Sequence, residues 1–176
     1  KDVMLYFSSE GISTTNPLVS VTFKHIGSLF SITLMNTSYG TDINDIKEIR
    51  LVAVDGNDGW AYNSAVGGKN FDLVSGEFLN TENPGSYISF KAKSSTLAKR
   101  DTMTFWGWYP PLSNVNWPEL KLELIKTDGT AFTTGKGANN AVNSKPARTA
   151  PTAPGKSYYF FAVWATGQSY PLEFTN

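Results

Sequence analysis

Residues 19–34 read Val19-Ser-Val-Thr-Phe-Lys-His-Ile-Gly-Ser-Leu-Phe-Ser-Ile-Thr-Leu34. In the first half Val19, Val21, Phe23 and His25 alternate with Ser20, Thr22 and Lys24. A period of two belongs to a β-strand, because successive side chains leave a pleated backbone on opposite faces. The expectation is one wet face and one buried face, the buried one carrying the odd-numbered residues with His25 turned inward. Gly27 and Ser28 then break the phase, and Phe30, Ile32 and Leu34 alternate with Ser31 and Thr33 in a second strand.

The same signal recurs on both sides of this stretch. Ile49, Leu51 and Ala53 are in phase, with Val52 and Val54 on the other side, and Asp55-Gly-Asn-Asp-Gly59 is a turn before Trp60. Short runs at 71–73, 77–79 and 87–90 are separated by glycine- and proline-containing breaks. Residues 102–108 form a strand that ends at Pro110-Pro111, which leaves Tyr109 displayed in a loop. Leu120, Leu122 and Leu124 alternate with Lys121 and Glu123, and Thr127-Asp-Gly-Thr130 turns the chain. Residues 133–153 are poor in bulky apolar groups and read as a long surface loop. The most apolar run, 157–165, has Tyr158, Phe160, Ala162 and Trp164 on one side and Tyr159, Phe161 and Val163 on the other, the pattern of a central strand covered on both faces. Leu172-Glu-Phe174 is a terminal strand. No stretch keeps a 3.6-residue period for three turns; residues 41–46 and 94–99 have room for about one helical turn each. Many short strands without alternating helices predict an all-β fold, an antiparallel β-sandwich, with residues 1–176 as one domain.

Composition narrows the function. A chain of 176 residues buries roughly 70% of its unfolded surface and needs no covalent staple. It has no cysteine, hence no disulfide, thiolate ligand or thiol nucleophile. Fifteen basic and 15 acidic residues balance to zero with no dense basic patch, which argues against nucleic acid and anionic membrane as partners. No apolar run approaches the roughly 20 residues of a membrane-spanning helix. No signal-like run opens the sequence at Lys1; if the protein is exported, its targeting segment is expected to have been removed or to lie outside this sequence.

Several segments, in order, resemble one family. Lys1-Asp-Val-Met-Leu-Tyr6, then 19–25 and 29–34, is similar to the opening strands of the fimbrillin-like proteins, the major and minor fimbrial subunits of Bacteroidetes. Ile46-Lys-Glu-Ile-Arg-Leu51 resembles that family's next strand, and Pro154-Gly-Lys-Ser-Tyr-Tyr159 its closing strand. The resemblance implies a transthyretin-like sandwich with Greek-key-type connections, and export to the outer membrane surface, often as a lipoprotein precursor. It also implies a non-enzymatic fimbrial subunit or adhesin. In that family a subunit's groove accepts a strand donated by a neighbour. Carried onto this sequence, the candidate exchangeable segments are Val3, Met4, Leu5, Tyr6 and Phe7 at one end and Leu172 and Phe174 at the other. The implied partners are other fimbrial subunits, together with host or bacterial surface glycans or proteins.

The residues that could carry chemistry are few, and no catalytic residue, metal or cofactor is expected. His25 is the only histidine and has no nucleophile or carboxylate beside it in sequence, so it reads as a structural histidine bonded to backbone. With one histidine and no cysteine, a zinc site would rest on carboxylates alone. Asp55–Gly59 fails the spacing of a calcium loop, and Gly135-Lys-Gly137 lacks the remainder of a phosphate-binding loop. No pair of acidic residues has a spacing that favours glycoside hydrolysis. Trp60, Trp106, Trp108, Tyr109 and Trp117 fall near strand ends and turns, Trp106 and Trp108 on one face of a strand, and exposed aromatic rings stack on sugar rings. Trp60, Trp108, Tyr109 and Trp117 are the candidate residues of the alternative function, a surface carbohydrate-binding module, weighed against core packing. Asn36-Thr-Ser38 has the N-glycosylation pattern, and Asp101-Thr-Met103 resembles the O-glycosylation acceptor of Bacteroidetes.

Overall fold

The computed structural model of the chain describes residues 5–7, 15, 21–55, 59–62, 70–75, 77–79, 84–110, 116–134 and 144–175. Among them there is no helix. In chain order the strands are β1 (Leu5–Tyr6), β2 (Lys24–His25), β3 (Ser28–Asn36), β4 (Ile46–Ala53), β5 (Ala61–Tyr62), β6 (Asn70–Asp72), β7 (Glu77–Leu79), β8 (Pro84–Gly85), β9 (Tyr87–Lys91), β10 (Thr102–Tyr109), β11 (Leu120–Lys126), β12 (Ala131–Thr133), β13 (Ser157–Trp164) and β14 (Leu172–Phe174).

Eight strands build two four-stranded sheets. The first has the order β10-β3-β13-β14 and the second β12-β11-β4-β9. Their facing sides share one apolar cluster: Phe30, Ile32 and Leu34 from β3, Phe105 from β10 and Phe160 from β13 meet Ile49 and Leu51 from β4, Ile88 and Phe90 from β9, and Leu120, Leu122 and Leu124 from β11. The chain is therefore an all-β sandwich, as its period-two runs predict. Pairing is antiparallel except between β3 and β13, which run parallel from Ser157 opposite Leu29 to Trp164 opposite Asn36. The remaining strands form three two-stranded ribbons, β1-β2, β5-β8 and β6-β7.

Three expectations fail, each for a tertiary reason. Val21, Phe23 and His25 do not face the core; all are exposed, Phe23 at 58%. The buried apolar residues are even-numbered, Ile26, Phe30, Ile32 and Leu34, so the first half of the opening stretch shows its apolar face to solvent. Residues 41–46 and 94–99 make no helical turn. They pair with each other through an antiparallel bridge between Ile43 and Leu97, and the Lys99 N–H donates to the Asp42 carboxylate at 2.8 Å. The outer side of β13 is not covered: Tyr159 and Phe161 are exposed. Within the stretch 133–153 read as a loop, the described residues Lys145 and Arg148 form isolated bridges to Leu120 and Trp117. Residues 56–58 of the Asp55–Gly59 turn, Gly135-Lys-Gly137, and Val3 and Met4 lie outside the described residues.

Candidate functional site

Sheet edges and exposed faces are the places where a sandwich meets partners, since a strand edge presents backbone donors and acceptors. β13 has such an edge. In its parallel ladder with β3, the Leu29 N–H donates to Lys156 O and the Thr37 N–H to Trp164 O, both at 2.9 Å. Even-numbered residues of β13 thus turn their backbone groups toward β3, and odd-numbered ones turn theirs to the opposite side. On that side β14 pairs only with Ala162, Val163 and Trp164, and the Thr175 N–H reaches Phe161 O at 2.9 Å. Among the described residues no strand lies beside Ser157–Phe160. A cleft of about 350 Å³ runs along this edge, lined by Trp117, Lys145, Arg148, Tyr158 and Phe160. Trp117 stacks on Phe30 and Phe160 with ring centroids 5.9 Å away in each case, and the Arg148 guanidinium sits 5.6 Å over its ring. Lys145 Nζ donates to Thr175 O at 2.9 Å and ties the cleft wall to the end of β14.

Another open edge is that of β10, whose only strand neighbour among the described residues is β3. A groove of about 590 Å³ borders it, and its lining is mostly polar: Lys93, Ser94, Thr96, Asp101, Thr102 and Thr104, with Leu97, Met103 and Trp106. Thr102 of the Asp101-Thr-Met103 acceptor pattern is exposed here. Asn36 of the other modification pattern is fully buried. Its Nδ2 donates to Thr41 O at 2.9 Å and to Leu97 O at 3.3 Å, while its Oδ1 accepts the Ser38 N–H, so in the folded chain it is a structural amide and not a glycan acceptor.

The candidate exchange segments differ in how firmly they are held. Among the described residues Leu5 and Tyr6 pair only with His25 and Lys24, in a ribbon separate from both sheets. Leu5 and Phe7 are half exposed, Phe7 lies edge-on to Phe23 at 5.3 Å, and Tyr6 is anchored through its hydroxyl to Leu73 O at 2.7 Å. Leu172 and Phe174, in contrast, are buried core residues of an edge strand. The candidate stacking aromatics are corrected by burial. Trp60, Tyr109 and Trp117 belong to the core; the Trp60 indole N–H donates to Ser86 O and the Tyr109 hydroxyl to Ser89 O. Burial pushes the Tyr109 hydroxyl up to about 12. Tyr109 ends β10 and is not displayed in a loop. Trp108 is half-buried with its indole laid over Gly27, where a Cβ would collide with the ring. His25 is exposed, and its ring makes no hydrogen bond to a described residue; it flanks Gly155, whose positive φ of 72° and 2.9 Å N–H bond to Gly27 O make the turn into β13.

Trp106, which the sequence sets among the aromatics near strand ends, is exposed, and Tyr159 and Phe161 are exposed where the sequence predicts a covered face. Trp106, Tyr159 and Phe161 project from the outer face of the first sheet, with exposures of 38%, 59% and 52%. The signal was the apolar second side of residues 157–165, which reads equally as a covered face. No helix among the described residues is long and apolar enough to cross a membrane, and no group of three or more His, Asp or Glu side chains is gathered among them.

A sandwich with open strand edges among its described residues is compatible with binding domains and with enzymes alike, since the fold does not fix the function. No family model matches the chain, and no curated protein does. Among solved structures it is similar to a candidate cell adhesion protein from Bacteroides uniformis, with a TM-score of 0.50 and 13% identity over 94% of this chain and 54% of that one. Candidate cell adhesion proteins from Bacteroides ovatus (TM-score 0.49, 14% identity, 90% of this chain and 46% of that one) and Bacteroides fragilis (0.49, 12%, 89% and 47%) are also matched. The chain spans about half the length of these proteins. At such identities the likeness to the first is one of fold.

Proposed function

We propose that this chain is a non-enzymatic cell-surface subunit or adhesin of fimbrillin type, exported to the outer membrane surface, folding as one domain over residues 1–176, and joined to neighbouring subunits by strand donation. The observation that carries the reading is the open β13 edge at Ser157–Phe160 with its aromatic-floored cleft. A donated strand gains affinity from main-chain hydrogen bonds and specificity from alternate side chains that enter pockets. The β13 edge offers both, whereas the β10 groove is lined mainly by polar side chains. The segment best suited to exchange is Val3–Phe7, whose described part is held by a two-residue ribbon; Leu172 and Phe174 are built into the core and serve as the fixed neighbour of the acceptor edge. The fold shared with a Bacteroides candidate cell adhesion protein agrees with a surface role.

The test is to delete residues 1–7 and follow assembly by size-exclusion chromatography and negative-stain electron microscopy. The intact chain is expected to form head-to-tail oligomers, and the truncated chain, which has lost the donor segment, to be a monomer whose open β13 edge binds a synthetic peptide of residues 1–7. Ser157→Pro, which removes an edge-facing N–H at the start of β13, abolishes assembly without unfolding the chain. A truncated chain that assembles as the intact one does, or that does not bind the peptide, overturns donation by this segment.

A further inference from the structure

The cleft along the β13 edge has a charge pattern as well as an aromatic floor. Trp117, Tyr158 and Phe160 form the floor, and Lys145 and Arg148 stand in the wall. Their bridges to Leu120 and Trp117 hold this wall against the start of β11. The Arg148 guanidinium lies 5.6 Å over the Trp117 ring, and the Lys145 ammonium lies 5.3 Å from the centre of the Phe174 ring. No described residue lining the cleft is acidic. Glu119, close to Trp117 in the sequence, does not line it and accepts a hydrogen bond from the Ser144 hydroxyl. Glu173 is exposed, on the side of β14 opposite the buried Leu172 and Phe174. Two cations above an aromatic floor suit an occupant that carries a carboxylate in step with large apolar side chains.

We infer that the strand received in this cleft is acidic on its inward face, and that Asp2 of the donated segment pairs with Arg148 of the receiving copy. The inference rests on strand donation at the β13 edge and specifies which face of the donor enters. Alternate side chains of an extended segment share a face. Residues 1–7 therefore offer two faces: Lys1, Val3, Leu5 and Phe7, or Asp2, Met4 and Tyr6. The first sets a cation against Lys145 and Arg148. The second sets a carboxylate against them and brings Met4 and Tyr6 over the aromatic floor. Like charges brought together in an interface are strongly disfavoured, so the second face is the one that enters. The other candidate segment lacks this pattern, because Glu173 alternates with Leu172 and Phe174 and so stands on the opposite face from them. A slip of one residue exchanges the two faces of a strand, so the Asp2–Arg148 pair also guards the register of the donated segment.

Sedimentation velocity of intact chains tests this. The wild type is expected to form head-to-tail oligomers, and Asp2→Lys and Arg148→Glu are each expected to weaken assembly at least ~10-fold by setting like charges together. An equimolar mixture of the two variants is expected to assemble as the wild type does, because each chain then presents the donor that matches the other's cleft. A folding defect gives no such recovery. If Arg148→Glu fails to fold, Arg148→Gln takes its place; in that background Asp2→Lys is expected to lose most of its effect, and an undiminished effect overturns the pairing. Single variants that assemble as the wild type does, or a mixture that does not recover, overturn the Asp2–Arg148 pair and leave strand donation in place. A wild-type chain that stays monomeric at high concentration overturns strand donation, and the pair with it.

Discussion

Trp117 illustrates how a residue chosen for function turns out to hold the fold. Its indole stacks between Phe30 and Phe160 and lies 4.8 Å from Tyr158. Trp117→Ala is expected to cost about 3–5 kcal/mol, because it removes buried area and leaves a cavity between the sheets. Chemical denaturation measures this, and a variant with unchanged stability would return Trp117 to the list of surface residues. Tyr109 makes a pH-dependent contribution. Its neutral hydroxyl donates to Ser89 O, and burial raises its folded pKa from 10.0 to about 12. A raised folded pKa means the contribution is complete below the unfolded value and is lost as pH climbs through the folded one. The wild type should therefore lose on the order of 1–3 kcal/mol more than Tyr109→Phe between pH 10 and 12. At neutral pH the same substitution costs about 1 kcal/mol for the lost hydrogen bond. Unfolding curves of both proteins across that range give the comparison; parallel curves would show that Tyr109 is not buried as described.

Among the elements, β3 and the β1-β2 ribbon lie at opposite extremes. β3 is paired along its full length on both sides and carries three fully or nearly fully buried apolar residues, Phe30, Ile32 and Leu34. The ribbon has two residue pairs and half-exposed apolar side chains, and an isolated two-stranded ribbon is marginal in water. Hydrogen exchange followed by mass spectrometry should show the amides of Leu5–Tyr6 and Lys24–His25 exchanging at least ~100-fold faster than those of β3, because local opening of the ribbon requires little loss of burial. Equal protection would remove the ribbon as an exchangeable element. Alternation between 21 and 25 was legible as strand, but not its outcome. Period two states that the faces differ, and only the partner available in space states which one is covered. The pairing of Ile43 with Leu97 was hidden for a related reason: a bridge between residues 54 positions apart leaves no local pattern, and the local propensity of each segment was overridden.

At the scale of the whole molecule, one apolar cluster joins both sheets. Thermal unfolding is expected to be a single transition with calorimetric and van't Hoff enthalpies equal, since neither sheet keeps its inner face dry without the other. Two separable transitions would divide the chain into independent units. The sequence by itself determined the class of fold, because period-two runs in β3, β4, β10 and β11 and the turns between them depend on backbone geometry that acts over a few residues. It also determined the absence of cysteine chemistry and the balance of charge. The tertiary structure decided strand order, the parallel β3–β13 pair, the burial of Trp60, Tyr109 and Trp117, and the exposure of Trp106, Tyr159 and Phe161. These are long-range facts. An aromatic residue has the same affinity for a core as for a partner, and which of the two it meets depends on which strands lie beside it and how far they extend. The open edge at Ser157–Phe160 is of the same kind, for it exists only because β14 stops after covering three residues of an eight-residue neighbour.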